Sequence, residues 1–206
     1  TAPLGMKDSY VGLPQSLENR VSKVHYTDDS DFPFLIDTFN EPEVHQSVNP
    51  GTCGISTARD LARFYAMMQQ GGTLDGVKIL EEKTVKEITT VQIQGMDTLI
   101  EPHLIYMGLG LAIADPRSGT NRDKLMGTFG HIGAGTSIGW GDFNSGLAVA
   151  FICNGYRSGT TNDSGRDRQK TTAAFIYRRI AHPFTLQLDA PRSMAAKSGI
   201  SCCVIR

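Results

Sequence analysis

Hydrophobic positions along this chain fall into two rhythms, and each predicts a different kind of element. From Gly127 to Asn154 the sequence reads GTFGHIGAGTSIGWGDFNSGLAVAFICN, in which glycine alternates with a few polar residues before an uninterrupted apolar run, Leu147–Cys153. Such runs fill buried strands. The turn-forming cluster Asp142-Phe143-Asn144-Ser145-Gly146 separates two β-prone stretches. Phe129–Ile132, Ser137–Gly141 and Leu147–Cys153 are therefore predicted as successive antiparallel strands joined by tight connections. A meander of this sort leaves an edge open. Glycine at 127, 130, 133, 135, 139 and 141 forfeits packing at each position, and Gly in strands marks bulges or places where another backbone or a ligand comes close. The edge near His131 is therefore expected to line a site.

The second rhythm is helical. Leu61, Phe64, Tyr65 and Met68 recur at i, i+3, i+4 and i+7, so one helix face is buried. Thr57 followed three residues on by Asp60 approximates a capping box with Asp in place of Glu. Ser56 and Thr57 are read as helix-starting residues rather than catalytic ones, and Gly71-Gly72 stops the helix. Glu81 to Val91 predicts a shorter helix with Val85, Ile88 and Val91 inward, and Asp167 to Ala181 a further one, ended by Pro183. Met107 to Ala114 reads as one apolar strand joining the meander's sheet, and Gly95 to Pro102 as a loop. Thr1 to Gln46 is irregular, with a strand-like Val21–Tyr26. His25 and His45 lack an HxH or HxxxH partner and read as solvated surface histidines. The end of the chain, from about Leu186, reads as disordered.

Composition narrows the function classes. The chain has 206 residues, 40% of them hydrophobic, enough for one domain or most of one. A net charge of −1 gives no electrostatic reason for a nucleic-acid partner or an anionic membrane, and no strong membrane signal is visible. The four cysteines, at 53, 153, 202 and 203, are too few for a disulfide scaffold and lack C-x-x-C spacing. Cys153, in the apolar strand, reads as core. Cys202-Cys203-Val204-Ile205-Arg206 has the C-a-a-X shape, but Arg is not among the usual X residues.

Several motifs can be weighed on context. Gly71 to Gly76 has Val77 where a phosphate loop needs Lys, and Gly108-x-Gly110 lacks the third glycine and following helix of a dinucleotide site. Gly135-Thr136-Ser137-Ile138-Gly139 is a literal G-x-S-x-G, with Asp163 or Asp167 and then His182 in the order an α/β-hydrolase uses. The segment after Gly139 reads as strand and hairpin rather than helix, so Ser137 is read as an ordinary residue of the glycine-rich strand, with an α/β-hydrolase-type esterase as the rival.

Three stretches together carry a family resemblance. His131-Ile132-Gly133, followed by Ala134-Gly135-Thr136-Ser137-Ile138-Gly139 and an apolar strand ending in Asn154-Gly155, resembles the Lys/His-x-Gly strand of the serine β-lactamase and penicillin-binding-protein superfamily, in its class C and esterase-like branch. Pro3-Leu4-Gly5-Met6 resembles that family's PLGM segment, and Ser56-Thr57-Ala58-Arg59-Asp60-Leu61-Ala62-Arg63-Phe64 its STARDLARF helix. The resemblance covers roughly residues 1–182, leaving 183–206 as the disordered tail. It implies an α+β fold, an α/β sandwich of antiparallel sheet with packed helices, incomplete in this chain.

The family's nucleophile lies in Ser-x-x-Lys, supported by Tyr-x-Asn or Ser-x-Asn, both ahead of the PLGM segment. No Ser-x-x-Lys occurs here, and the six tyrosines are followed two residues on by Gly12, Asp28, Met67, Gly108, Ser158 and Arg179, never by Asn. The chain is thus read as the C-terminal part of a serine hydrolase acting on an ester, amide or peptide small molecule. Its expected partner is the missing N-terminal part of the same domain, and no cofactor or metal is expected. By resemblance, the backbone N–H of Ala134 is an oxyanion donor, and His131, Gly133, Ala134 and Gly135 line the substrate. His131 stands where many relatives have Lys; imidazole is mostly neutral near pH 7, which favours neutral esters or amides over substrate carboxylates. The alternative is a non-catalytic binding remnant.

Overall fold

The computed structural model describes residues 1–26, 37–97, 103–114, 126–133, 137–156 and 200–205. Along them run a 3-10 turn Ala2–Leu4, β1 (Tyr10–Val11), a 3-10 helix Gln15–Arg20, β2 (His25–Tyr26) and a short helix Pro42–Gln46. Next come β3 (Gly54–Ile55), the long helix Ala58–Gln69, β4 (Thr73–Leu74), β5 (Val77–Lys78) and the helix Glu82–Ile88. The remaining strands are β6 (Ile93–Asp97), β7 (His103–Met107), β8 (Ala112–Ile113), β9 (Thr128–Gly133), β10 (Ser137–Asp142), β11 (Leu147–Cys153), β12 (Gly155–Tyr156) and β13 (Ile200–Ile205). Seven strands make one antiparallel sheet in the order β13-β11-β10-β9-β8-β7-β6. The long helix lies across β10, β11 and β13. This is the α+β arrangement expected.

Small residues let that helix come close. Opposed residues share a sheet face, and the register aligns Phe129, Gly141 and Ala148 in one row, then His131, Gly139 and Ala150 in the next. Ala150 packs against Ala58 and Ala62 of the helix, so backbone meets backbone with little side chain between. Two of the glycines turn out to be slots for aromatic rings. A Cβ on Gly139 would collide with the Tyr65 ring, and one on Gly141 would lie 2.5 Å from Phe129 Cζ. Tyr65 and Phe129 sit 6.3 Å apart, and Phe64 meets Tyr65 edge-on at 5.2 Å. At these two positions the density of glycine reflects packing rather than a ligand.

The helix begins as predicted: Thr57 Oγ1 accepts from Asp60 N–H at 3.2 Å. The reciprocal half of the capping box is replaced. The Asp60 carboxylate, 1% exposed, accepts instead from Asp8 N–H at 2.8 Å and Ser9 Oγ at 3.1 Å. Ser9 Oγ also shares a hydrogen bond with Ser56 Oγ at 2.8 Å. This network fastens the segment after Pro3-Leu4-Gly5-Met6 to the helix start. Arg63 adds a second fastening by donating to Leu4 O at 2.6 Å while pairing with Asp75.

Several expectations need correction. The run Met107 to Ala114 is two strands, β7 and β8, folded back at Gly108–Leu111. Gly108 N–H donates to Leu111 O at 2.8 Å, and Gly110 takes φ +79°, a left-handed conformation glycine adopts without penalty. An apolar run alone does not reveal that hairpin. Residues 93–97, half inside the expected loop, pair with β7, because a partner strand overrides weak local propensity. The helix predicted over Glu81 to Val91 is shorter, Glu82–Ile88. Of Val21–Tyr26 only His25–Tyr26 is strand, parallel to β12. His45 is 8% exposed rather than solvated; Nδ1 lies 2.8 Å from Glu18 Oε1 and Nε2 2.7 Å from Phe39 O. Cys153 is half-buried rather than core, since the last three residues of β11 emerge from the packed face. Residues 200–205, expected to be disordered, form β13 against β11. The helix predicted over Asp167 to Ala181 lies outside the described residues.

Candidate functional site

The site begins where β9 loses a neighbour. Among the described residues, β8 pairs with β9 at Phe129 and Gly130. Thr128 O accepts from Ala114 N–H at 3.0 Å, so by two-residue alternation the backbone of Gly130 and Ile132 also faces the β8 side. Ile132 lies past the last β8 pair, and its carbonyl is taken by a side chain: His131 Nδ1 lies 2.8 Å from Ile132 O. A carbonyl can only accept, so Nδ1 carries the proton. That assigns the tautomer and leaves Nε2 as the acceptor nitrogen of the neutral ring. His131 itself is exposed, so this nitrogen is within reach of a ligand.

Across the ribbon, Ser137 opens β10 opposite Gly133 and donates from Oγ to Gly133 O at 3.4 Å. Any side chain on Gly133 would run into that hydroxyl. Behind the ribbon, Tyr65 is 4% exposed, and its ring lies against Gly139, the residue opposed to His131. Burial pushes the Tyr65 hydroxyl up to about 12, only partly opposed by the nearby His131 backbone, so the phenol is neutral at any physiological pH.

Ser137 also lines a cavity of about 700 Å³ whose other walls include Ser9, Cys53, Ser56, Ile152 and Asn154. The Ser9–Ser56–Asp60 network thus braces one wall and the start of β10 forms part of another. Asn154 Nδ2 donates to Lys23 O at 3.0 Å, which holds the wall at the end of β11. Cys53 carries two hydroxyl contacts, from Ser47 at 3.2 Å and Thr52 at 3.4 Å. These hydrogen bonds, Ser47's first, lower its thiol below the usual value.

Of the residues singled out from sequence, His131 and Gly133 are placed together at the tip of β9, and Ser137 faces them. Ala134 and Gly135 lie outside the described residues, as do Asp163, Asp167 and His182. Ser137 begins a strand that continues to Asp142 and turns into β11, so it does not occupy a strand-to-helix elbow. Sequence reasoning missed Tyr65 as a neighbour of His131. The signal was a tyrosine on the buried helix face opposite a glycine-rich strand. Among the described residues no cluster of three or more His, Cys, Asp and Glu side chains could hold a metal, and no helix is long and apolar enough to cross a membrane.

A helix laid over an antiparallel sheet, with a His-x-Gly ribbon exposed at one strand end, defines an α+β scaffold. Comparison with known proteins makes the assignment specific. The Beta-lactamase family model matches residues 1–174. The chain belongs to that family, the β-lactamase-related serine hydrolases. It is 34% identical over 110 residues to the esterase/β-lactamase LipL of Mycobacterium tuberculosis, covering 51% of this chain and 23% of LipL. A penicillin-binding-protein homologue from Caulobacter crescentus superposes with TM-score 0.63 and 27% identity, covering 84% of this chain and 50% of that one. A family VIII carboxylesterase shares the fold with TM-score 0.68 at 24% identity, covering 84% of this chain and 48% of the carboxylesterase. The chain therefore spans about half the length of these solved relatives and less than a quarter of LipL.

Proposed function

We propose that this chain forms the C-terminal wall of an acyl-transfer site that hydrolyses small neutral esters or amides. In this reading the attacking serine comes from a Ser-x-x-Lys segment outside this chain, in the same polypeptide or a partner. The observation that carries it is the His131–Gly133 ribbon end, unflanked by β8 and set beside Ser137 at the cavity rim. The family supplies the reaction class: the serine attacks the carbonyl, an acyl-enzyme forms as the alcohol or amine leaves, and water releases the acid. The chain's own share is to hold the carbonyl oxygen and orient the acyl group. The backbone N–H of Ala134 serves as one oxyanion donor, a role typically worth about 10²–10³ in rate.

His131 biases the substrate. With Nδ1–H held by the Ile132 carbonyl, it is Nε2 that faces the substrate, where its lone pair repels a carboxylate and accepts from an O–H or N–H. The test is labelling with a fluorophosphonate probe. The chain alone is expected to stay unlabelled, and joining it to the upstream segment is expected to produce labelling on that segment's serine. Labelling of the isolated chain at Ser137 refutes this reading in favour of an esterase built on Ser137. Absence of labelling in the joined protein refutes it in favour of a non-catalytic binding remnant, which the lack of Ser-x-x-Lys in these 206 residues also accommodates.

A further inference from the structure

We propose that the outer edge of β6 is a docking surface for a second copy of this chain, which pairs antiparallel about Gly95 and joins two seven-stranded sheets into one. β6 closes one side of the sheet, three strands and roughly 14 Å from β9. The inference is therefore independent of the acyl-transfer reading, and the pairing leaves the lip uncovered.

The direction of the backbone groups follows from the ladder. Gly108 N–H donates to Leu111 O, in step with the Met107–Ala112 pair. Gly108 thus faces β8 and, by alternation, Met107, Ile105 and His103 face β6. Their partners in register are Ile93, Gly95 and Asp97. Gln94 and Met96 therefore turn their N–H and C=O groups away from β7, onto the open edge. Gln92 N–H donates to Met107 O at 2.7 Å although Ile93 is the residue opposed to Met107, the mark of a bulge that ends the regular edge there.

Three features select a second copy as the occupant. The first is symmetry: Gln94 and Met96 flank Gly95, so the same strand reversed about Gly95 sets Gln94 opposite Met96 of the second copy and gives each outward N–H and C=O a partner. Glycine then meets glycine at the narrow, non-hydrogen-bonded position, and the Cβ position of Gly95 has no atom within 4 Å. The second is apolar surface. Ile93, Met96 and Leu104 are 62%, 57% and 39% exposed, and Met96 and Leu104 are opposed, so with their copies they form one strip across the joint. The third is charge: Ile93-Gln94-Gly95-Met96-Asp97 contains no Lys, Arg or Pro, the residues that guard edge strands against pairing. Its single charge, Asp97, falls opposite Ile93 of the second copy rather than opposite another carboxylate. The joint buries roughly 1,000 Å² in total, at the low end for specific interfaces, which corresponds to a reversible dimer with Kd of about 10–100 μM.

Sedimentation velocity of the chain between about 5 and 200 μM is expected to show a monomer–dimer equilibrium. Met96→Lys is expected to weaken it about tenfold or more, and Val48→Lys, at a 78%-exposed position elsewhere, to leave it unchanged. Oxidation reads the register. Gly95→Cys sets the two Cα atoms about 4.5 Å apart and is expected to give a covalent dimer, whereas Ile93→Cys sets them roughly 14 Å apart, beyond disulfide reach, and should crosslink no more than the parent chain. A chain that stays monomeric at the highest of these concentrations overturns the proposal. So does a dimer that survives Met96→Lys, one lost equally with Val48→Lys, or crosslinking of Ile93→Cys as readily as of Gly95→Cys. If the chain joined to its upstream segment is monomeric under the same conditions, the edge takes a strand from that segment, which overturns the second copy as its occupant.

Discussion

Gly139→Ala adds one methyl group at the most crowded point of the helix–sheet contact. In an open strand the change would help, since alanine restricts the unfolded chain by about 0.5–1 kcal/mol relative to glycine. Here the new methyl would overlap Tyr65, whose Cδ2 would stand 2.8 Å from it. The ring is 4% exposed and wedged between Phe64 and Phe129, so relief requires the helix to lift or the ring to leave its rotamer. Overpacking of this kind costs about 1–3 kcal/mol. Urea unfolding monitored by circular dichroism should show a loss near 2 kcal/mol, or about 4–8 °C in Tm for a chain of this size. The informative control is the same change in a Tyr65→Leu background, where Cε2 and Cζ are gone. Gly139→Ala should there be neutral or mildly stabilising, giving a coupling energy of about 2 kcal/mol between the sites. An equal cost in both backgrounds, or no cost in either, would show that the glycine is not a slot for Tyr65.

The same contacts dictate the outcome of four other perturbations. Because Tyr65 is raised from 10.0 to about 12 by burial, the unfolded chain loses this proton first as pH rises. Stability contributed by Tyr65 is therefore complete below pH 10 and lost between about pH 10 and 12, by roughly 2–3 kcal/mol; alkaline unfolding of Tyr65→Phe should lack that component. Asp60→Ala leaves Asp8 N–H and Ser9 Oγ without their acceptor and should cost about 2–4 kcal/mol, with protease cleavage appearing first near residues 5–9. Ser47→Ala removes the larger of the two hydroxyl contacts on Cys53, so iodoacetamide should modify Cys53 severalfold more slowly at pH 7 and equally fast at pH 10. In the joined enzyme, His131→Lys should raise the turnover of carboxylated relative to neutral substrates; an unchanged ratio would remove His131 from substrate selection.

Much of this molecule could be read from residue order alone. The three strands of the glycine-rich meander were bounded to within a residue or so, because Asn144-Ser145-Gly146 permits only a turn and Leu147–Cys153 is apolar without interruption. Thr57 and the Leu61–Met68 spacing located the long helix for the same local reasons. His131 and Gly133 were likewise legible as a pair, since two residues apart on a strand point to one face.

Nonlocal partners were decided only by folding. The sequence does not say that Asp60 turns away from its own helix start to bind Asp8 and Ser9, some fifty residues earlier. Nor does it say that His45 is enclosed by Glu18 and Phe39, or that residues 93–97 acquire a partner in β7. Gly139 shows the limit most plainly. Its absent side chain is written in the sequence, but whether the space admits a ligand, a strand or an aromatic ring depends on which helix residue arrives there. That is a matter of three-dimensional packing between segments more than seventy residues apart, and it assigned the space to Tyr65.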